Sequence, residues 1–145
     1  MATPYCLAMV ICDAVHRDRT TGKFTILGTF NNINASEFPC CAGFCIYFAF
    51  TDGVGRVPLR LRIAESSGDI AETDTFDKTI HLPDLEFPDP LTTVEGFCIL
   101  AKIELPKPGV YHCELYSGDE HLMARRLRLT DARRHDGDGT SEGNE

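Results

Sequence analysis

The side chains with the widest chemical range in this chain of 145 residues are its seven cysteines and five histidines. Cys40 and Cys41 are adjacent and Cys45 follows soon after, the densest group of thiols in the sequence. With His112 or Cys113 they would offer zinc the thiolate and imidazole ligands it prefers. Structural zinc, however, usually draws on paired C-x2-C spacings, and this chain has none. Adjacent residues on a strand also point to opposite faces. The cluster reads more simply as core thiols, with Cys40 or Cys41 incidentally exposed, and no metal site is assigned.

A nucleophilic cysteine needs a neighbour that stabilises its thiolate. Cys12 with His16 and Cys113 with His81 are the pairings to consider, and neither has a flanking signature. No Gly-x-Ser-x-Gly, His-Glu-x-x-His or phosphate-cradling Gly-rich loop occurs. The expectation is a protein that is not an enzyme and uses no cofactor. Acidic loops form a third group, with Asp52, Asp84, Glu86 and Asp89 placed to meet at one end of a β-sandwich. They lack the Asp-x-Asp-x-Asp-Gly pattern of a calcium loop, so solvated carboxylates are the plainer reading.

The last candidate is apolar. Leu85 and Phe87 lie between Pro83 and Pro90 in a stretch whose three prolines oppose a regular ladder. A stiff loop bearing two large apolar groups loses little entropy on docking, which marks Leu85 and Phe87 as a possible partner-binding loop. The competing reading is that both fold back and cap the open end of the core.

The elements that must position these residues read as strands. Phe44, Ile46, Phe48 and Phe50 share one face of a run that must be core. After an Asp52-Gly53 hairpin signal, Val57, Leu59, Leu61 and Ile63 alternate with Pro58, Arg60, Arg62 and Ala64, so Arg60 and Arg62 face outward. Tyr5 to Cys12 is apolar on both faces, as suits a covered strand. Phe24 to Phe30 alternates, with Gly28 marking a bulge or a close approach. Asn31 to Ser36 favours turns. A weaker strand is expected near Thr75 to Leu82, and Val94 to Leu105 places Phe97, Ile99, Ala101, Ile103 and Leu105 on one face. Pro108-Gly109 opens a hairpin whose first arm sets Tyr111, Cys113 and Leu115 on one face. Its second arm, Leu122 to Leu129, slips phase at Arg125-Arg126, as a β-bulge would explain. About eight antiparallel strands with turn signals between them predict an all-β sandwich, immunoglobulin-like or C2-like, over residues 1–130. Residues 131–145 read as a disordered acidic tail.

A formal net charge of -8 argues against nucleic acid or an anionic membrane as the main partner, though a local basic stripe is compatible with it. The longest apolar run is too short to span a bilayer, and Arg17 is the first basic residue, so no secretory signal is evident. Free buried thiols suit a reducing compartment, and the cytoplasm is expected.

Two resemblances follow from particular residues. Gly109-Val110-Tyr111-His112-Cys113-Glu114-Leu115 resembles the late strand of immunoglobulin and fibronectin-type sandwiches, which implies that Tyr111 is a structural corner residue. The chain has no Trp, so the resemblance brings the sandwich and not the disulfide. Ile11-Cys12-Asp13, then Gly22 through Phe30, then Gly109-Val110-Tyr111 also resemble a family of small uncharacterised bacterial proteins. That family implies the fold and no activity. The function expected is a non-enzymatic protein-interaction or self-assembly module, the alternative being a ligand-binding or metal-binding sandwich for calcium or zinc.

Overall fold

Period-two alternation becomes strand wherever one face can be buried, and a computed structural model describes the outcome for residues 3–66 and 76–133. Among these the regular elements are nine strands: β1 (Tyr5–Arg17), β2 (Phe24–Thr29), β3 (Asn32–Ala35), β4 (Cys40–Thr51), β5 (Gly55–Glu65), β6 (Asp77–Phe87), β7 (Val94–Leu105), β8 (Gly109–Ser117) and β9 (Glu120–Asp131). They form a four-stranded sheet in the order β2-β1-β4-β7 and a five-stranded sheet in the order β3-β9-β8-β5-β6. With β1-β4-β7 on one side and β5-β8-β9 on the other, the strands fall as A, B, E and C, F, G do in an immunoglobulin-like sandwich.

The inner faces meet as alternation requires. Phe44, Ile46, Phe48 and Phe50 from β4 share the core with Leu59, Leu61 and Ile63 from β5, Tyr111, Cys113 and Leu115 from β8, and Leu127 and Leu129 from β9. Arg60 and Arg62 face out. Strand β4 is buried on its other face as well, at Cys45, Tyr47 and Ala49. The reason is the β1–β2 hairpin. Strand β2 is bonded to β1, yet the Phe24 ring meets Tyr47 on β4 edge-on at 5.8 Å and Phe97 on β7 at 6.2 Å. The far end of the hairpin therefore curls over the sheet's outer face. Gly28 permits the curl: its φ is 68°, and a Cβ there would lie 2.3 Å from Asp13 Oδ2.

The structure departs from the sequence reading at several places. The Pro83 region is not a long connection: β6 runs through it to Phe87 as the last strand of its sheet, and the ladder with β5 is irregular only locally, where Pro83 and Asp84 fall between the pairs Leu59–Leu82 and Val57–Leu85. An edge strand tolerates proline on its unpaired side, and a register shift between Val57 and Leu59 of β5 lies beside it. Asp52-Gly53 makes no hairpin, since β4 and β5 belong to different sheets. Residues Asn32–Ala35 form a strand rather than a turn, and it is parallel to β9, so the sandwich is not wholly antiparallel. The bulge in β9 falls at Leu122, where the register with β8 shifts between Leu115 and Tyr116. Another shift opposite Gly43 splits β7, so that Leu100, Ile103 and Leu105 enter the core while Ile99 faces out. Residues 134–145 of the expected tail, and the turn expected at 67–69, lie outside the described residues.

Candidate functional site

The two residues expected to form a partner-binding loop are core residues. Leu85 is 7% and Phe87 4% exposed. The Phe87 ring occupies the space that Gly53 leaves, where a Cβ would approach it to 2.4 Å. The docking-loop expectation is thereby corrected: a strand that pairs with β5 through Leu85 has its alternate side chains turned into the sandwich. Tyr111 does form a corner. Its hydroxyl donates to the Lys107 carbonyl at 2.6 Å, and its ring is fully buried.

The thiols are dispersed. All seven are free, with Cys41 exposed, Cys40 and Cys98 half-buried, and the others buried. Burial pushes the Cys98 thiol up to about 11 and that of Cys113 up to about 12, so both stay protonated at neutral pH. Cys113 is buried while His112, on the other face of β8, is not. Cys12 is buried and His16 exposed further along β1. His81 is exposed on β6, with β5 standing between it and Cys113. None of the imagined pairs is brought together. Among the described residues no three His, Cys, Asp or Glu side chains converge. Asp84 and Glu86 on β6 engage Arg56 of β5, at 3.9 and 2.7 Å, and Asp89 accepts the Leu91 amide, so these carboxylates bridge neighbouring strands or brace their own turn.

What remains is the rim of the sheets. Four strands stand at sheet ends, and each exposes a row of backbone groups that another chain can pair with. Strand β2 has six residues and β3 four, too short to offer much ladder. Strand β6 carries Pro83 and the charged or titratable side chains of Asp77, Lys78, His81, Asp84 and Glu86. Strand β7 has twelve residues and no proline, and Glu95 is the one charged side chain of its first half. It pairs with β4 alone.

The chemistry of that edge is apolar. Phe97-Cys98-Ile99-Leu100-Ala101 is an uncharged centre, and Ile99 is 68% exposed on the outer face. Phe97 lies half-buried beneath Phe24. At the head of the strand Tyr47 donates a hydrogen bond to Glu95, whose carboxylate stands at the end of the edge and outside its uncharged centre. Burial, with the bond to Glu95 adding to it, pushes the Tyr47 hydroxyl up to about 12. Sequence alternation could place Ile99 on a face with Phe97. It could not disclose that β7 ends a sheet, because strand order depends on pairings far apart in the chain.

A model of a family of unknown function, DUF6941, matches residues 7–130, and the chain belongs to that family. No curated protein matches it. Among solved structures, an immunoglobulin-like protein from Pseudomonas aeruginosa is similar at 12% identity, over 88% of this chain and 97% of that one, with a TM-score of 0.42.

Proposed function

We propose that this member of DUF6941 is a non-catalytic sandwich that assembles with a second copy of itself, β7 of one protomer pairing with β7 of its partner. The observation that carries the reading is Ile99, 68% exposed at the centre of a twelve-residue edge strand that has no proline and no charge in its middle five residues. A long apolar edge of this kind is a template for strand addition. Antiparallel pairing about a two-fold axis normal to the sheet keeps both outer faces on one side. Two four-stranded sheets then become one of eight, and Phe97 and Ile99 of the two copies form a continuous apolar row. The mass in solution, measured over a range of concentrations for the wild type and for Ile99→Lys, tests the reading.

A second reading, a ligand-binding or metal-binding module, draws on a cleft of about 400 Å³ lined by Asp13, Gly28, Cys40 and Cys41 among others. Thermal unfolding with zinc or calcium separates the two, since an ion that binds only the folded chain raises its midpoint.

A further inference from the structure

The five-stranded sheet matches its arginines to acids across strands. Arg56 of β5 stands directly opposite Glu86 of β6 and bonds to it at 2.7 Å, and Arg62 stands opposite Glu114 of β8 and bonds to it at 3.1 Å. Strand β9 breaks this pattern. Arg126 stands opposite His112, and Arg128 stands opposite Val110 on β8 and Asn32 on β3, so no acid occupies a position that faces them. Glu114 is diagonal to Arg126 across the ladder, but it is engaged by Arg62 and by the Tyr116 hydroxyl. The other strand arginines also have partners: Arg17 lies over the Phe24 ring, and Arg60 and Arg125 donate to the Gly118 and Met9 carbonyls. Among the described residues Arg126 and Arg128 have none, in a chain of formal net charge -8.

Both guanidinium groups are exposed on the outer face, because Leu127 between them is buried in the core. Residues two apart on a strand share a face at a spacing of roughly 7 Å, so the two charges repel each other unless an anion lies between them. The space for one is present. Arg126 and Arg128 line a cleft of about 450 Å³ with Asn31 and Asn32, within the size range of small-molecule sites. His112, half-buried, stands beside Arg126 on the same face. The donors also indicate the class of anion. A carboxylate has two oxygens and is satisfied by one guanidinium fork. Two forks with an imidazole beside them match a group with three terminal oxygens, which is the shape of a phosphate monoester. The acidic chain as a whole repels long polyanions and anionic membranes, which leaves a compact ligand.

We infer that the cleft on the outer face of β3, β9 and β8 binds the phosphate monoester of a small molecule, held by Arg126 and Arg128 with the His112 imidazole beside them. Strand β7 belongs to the other sheet, so this site and the assembly proposed above stand or fall separately.

The test is a titration of the full chain, followed by amide chemical shifts in solution, with glycerol 3-phosphate as the probe. The comparison probes are glycerate, which carries a carboxylate in place of the phosphate, a thymidine oligonucleotide, and vesicles containing phosphatidic acid. Glycerol 3-phosphate is expected to shift the amides of His112, Arg126 and Arg128 along one saturating curve, and inorganic phosphate to displace it. The Arg126→Ala/Arg128→Ala double variant should bind about tenfold more weakly or worse, and so should glycerate to the wild type. Arg126→Lys/Arg128→Lys, which keeps the charge and loses the forks, should fall between. Absence of shifts at those three amides, equal binding by the alanine or the lysine variant, or equal binding of glycerate would overturn the inference. Tighter binding of the oligonucleotide or of the vesicles would overturn it too, and would identify a polyanion or a membrane as the partner. Both arginines are exposed, so the variants should unfold at the same urea midpoint as the wild type.

Discussion

Tyr111 and Lys107 close the turn into β8 by a hydrogen bond from the tyrosine hydroxyl to the lysine carbonyl at 2.6 Å, four residues back. The ring beneath that bond is fully buried and meets Phe76 edge-on at 5.9 Å. The corner joins the loop after β7 to the core. Tyr111→Phe should cost about 1 kcal/mol, the net worth of one such bond, and Tyr111→Ala about 3–5 kcal/mol. Urea unfolding of the two variants checks this, and a Phe variant as stable as the wild type would count against the corner.

Phe87 separates a core role from a docking role. Its ring packs against Gly53 and is 4% exposed, so Phe87→Ala should lower stability by about 3–5 kcal/mol. A docking residue would show the opposite pattern, with stability kept and association lost. Unfolding midpoint and mass in solution, measured on the same preparation, distinguish them.

Gly43 lies where the register between β4 and β7 shifts. A Cβ there would come within 2.9 Å of the Ala101 carbonyl oxygen, a backbone atom that cannot rotate away. Gly43→Ala should therefore destabilise the fold by about 1–3 kcal/mol. The loss should appear first as faster amide exchange in β7, and unchanged exchange there would contradict the close approach.

Arg62 bridges two acids across its sheet, with Asp77 at 2.8 Å and Glu114 at 3.1 Å. The hydrogen bond from Arg62 holds the Asp77 carboxyl below its ordinary value. A carboxyl lowered in the folded state adds stability in full above the unfolded pKa, near ~3.9, and loses it as pH falls through the lower folded value. The pair is partly exposed, so its worth is under about 1 kcal/mol. The stability difference between wild type and Asp77→Asn should be constant at neutral pH and shrink as the solution is acidified below about pH 4. A difference that grows on acidification would reverse the sign.

Much of this fold is legible in the sequence because it is local. Alternation at Phe44 to Phe50 and at Val57 to Ile63 names the inner faces, and the Tyr111 hairpin names the corner. The misreadings share a cause. Pro83 breaks a strand only when both of its sides are paired, and Asp52-Gly53 makes a hairpin only when the flanking strands share a sheet. Alternation puts Ile99 on one face with Ile103 and Leu105, which in the fold point the other way, because the shift opposite Gly43 is set by β4 and not by β7's own composition. Leu85 and Phe87 are open to both readings for the same reason: a pair of apolar residues between prolines says nothing about which sheet lies beneath. The bond from Arg125 to the Met9 carbonyl is beyond the reach of local patterning, since the two residues are 116 apart in the chain.

The central claim is that β7 is an assembly edge, and sedimentation equilibrium under reducing conditions, from low to high micromolar protein, tests it most directly. The wild type should approach twice the 16.1 kDa of one chain as concentration rises, while Ile99→Lys, a change at an exposed position, should stay at the mass of one chain throughout. A wild type that remains a single chain at every concentration, or a dimer that survives Ile99→Lys, would contradict it.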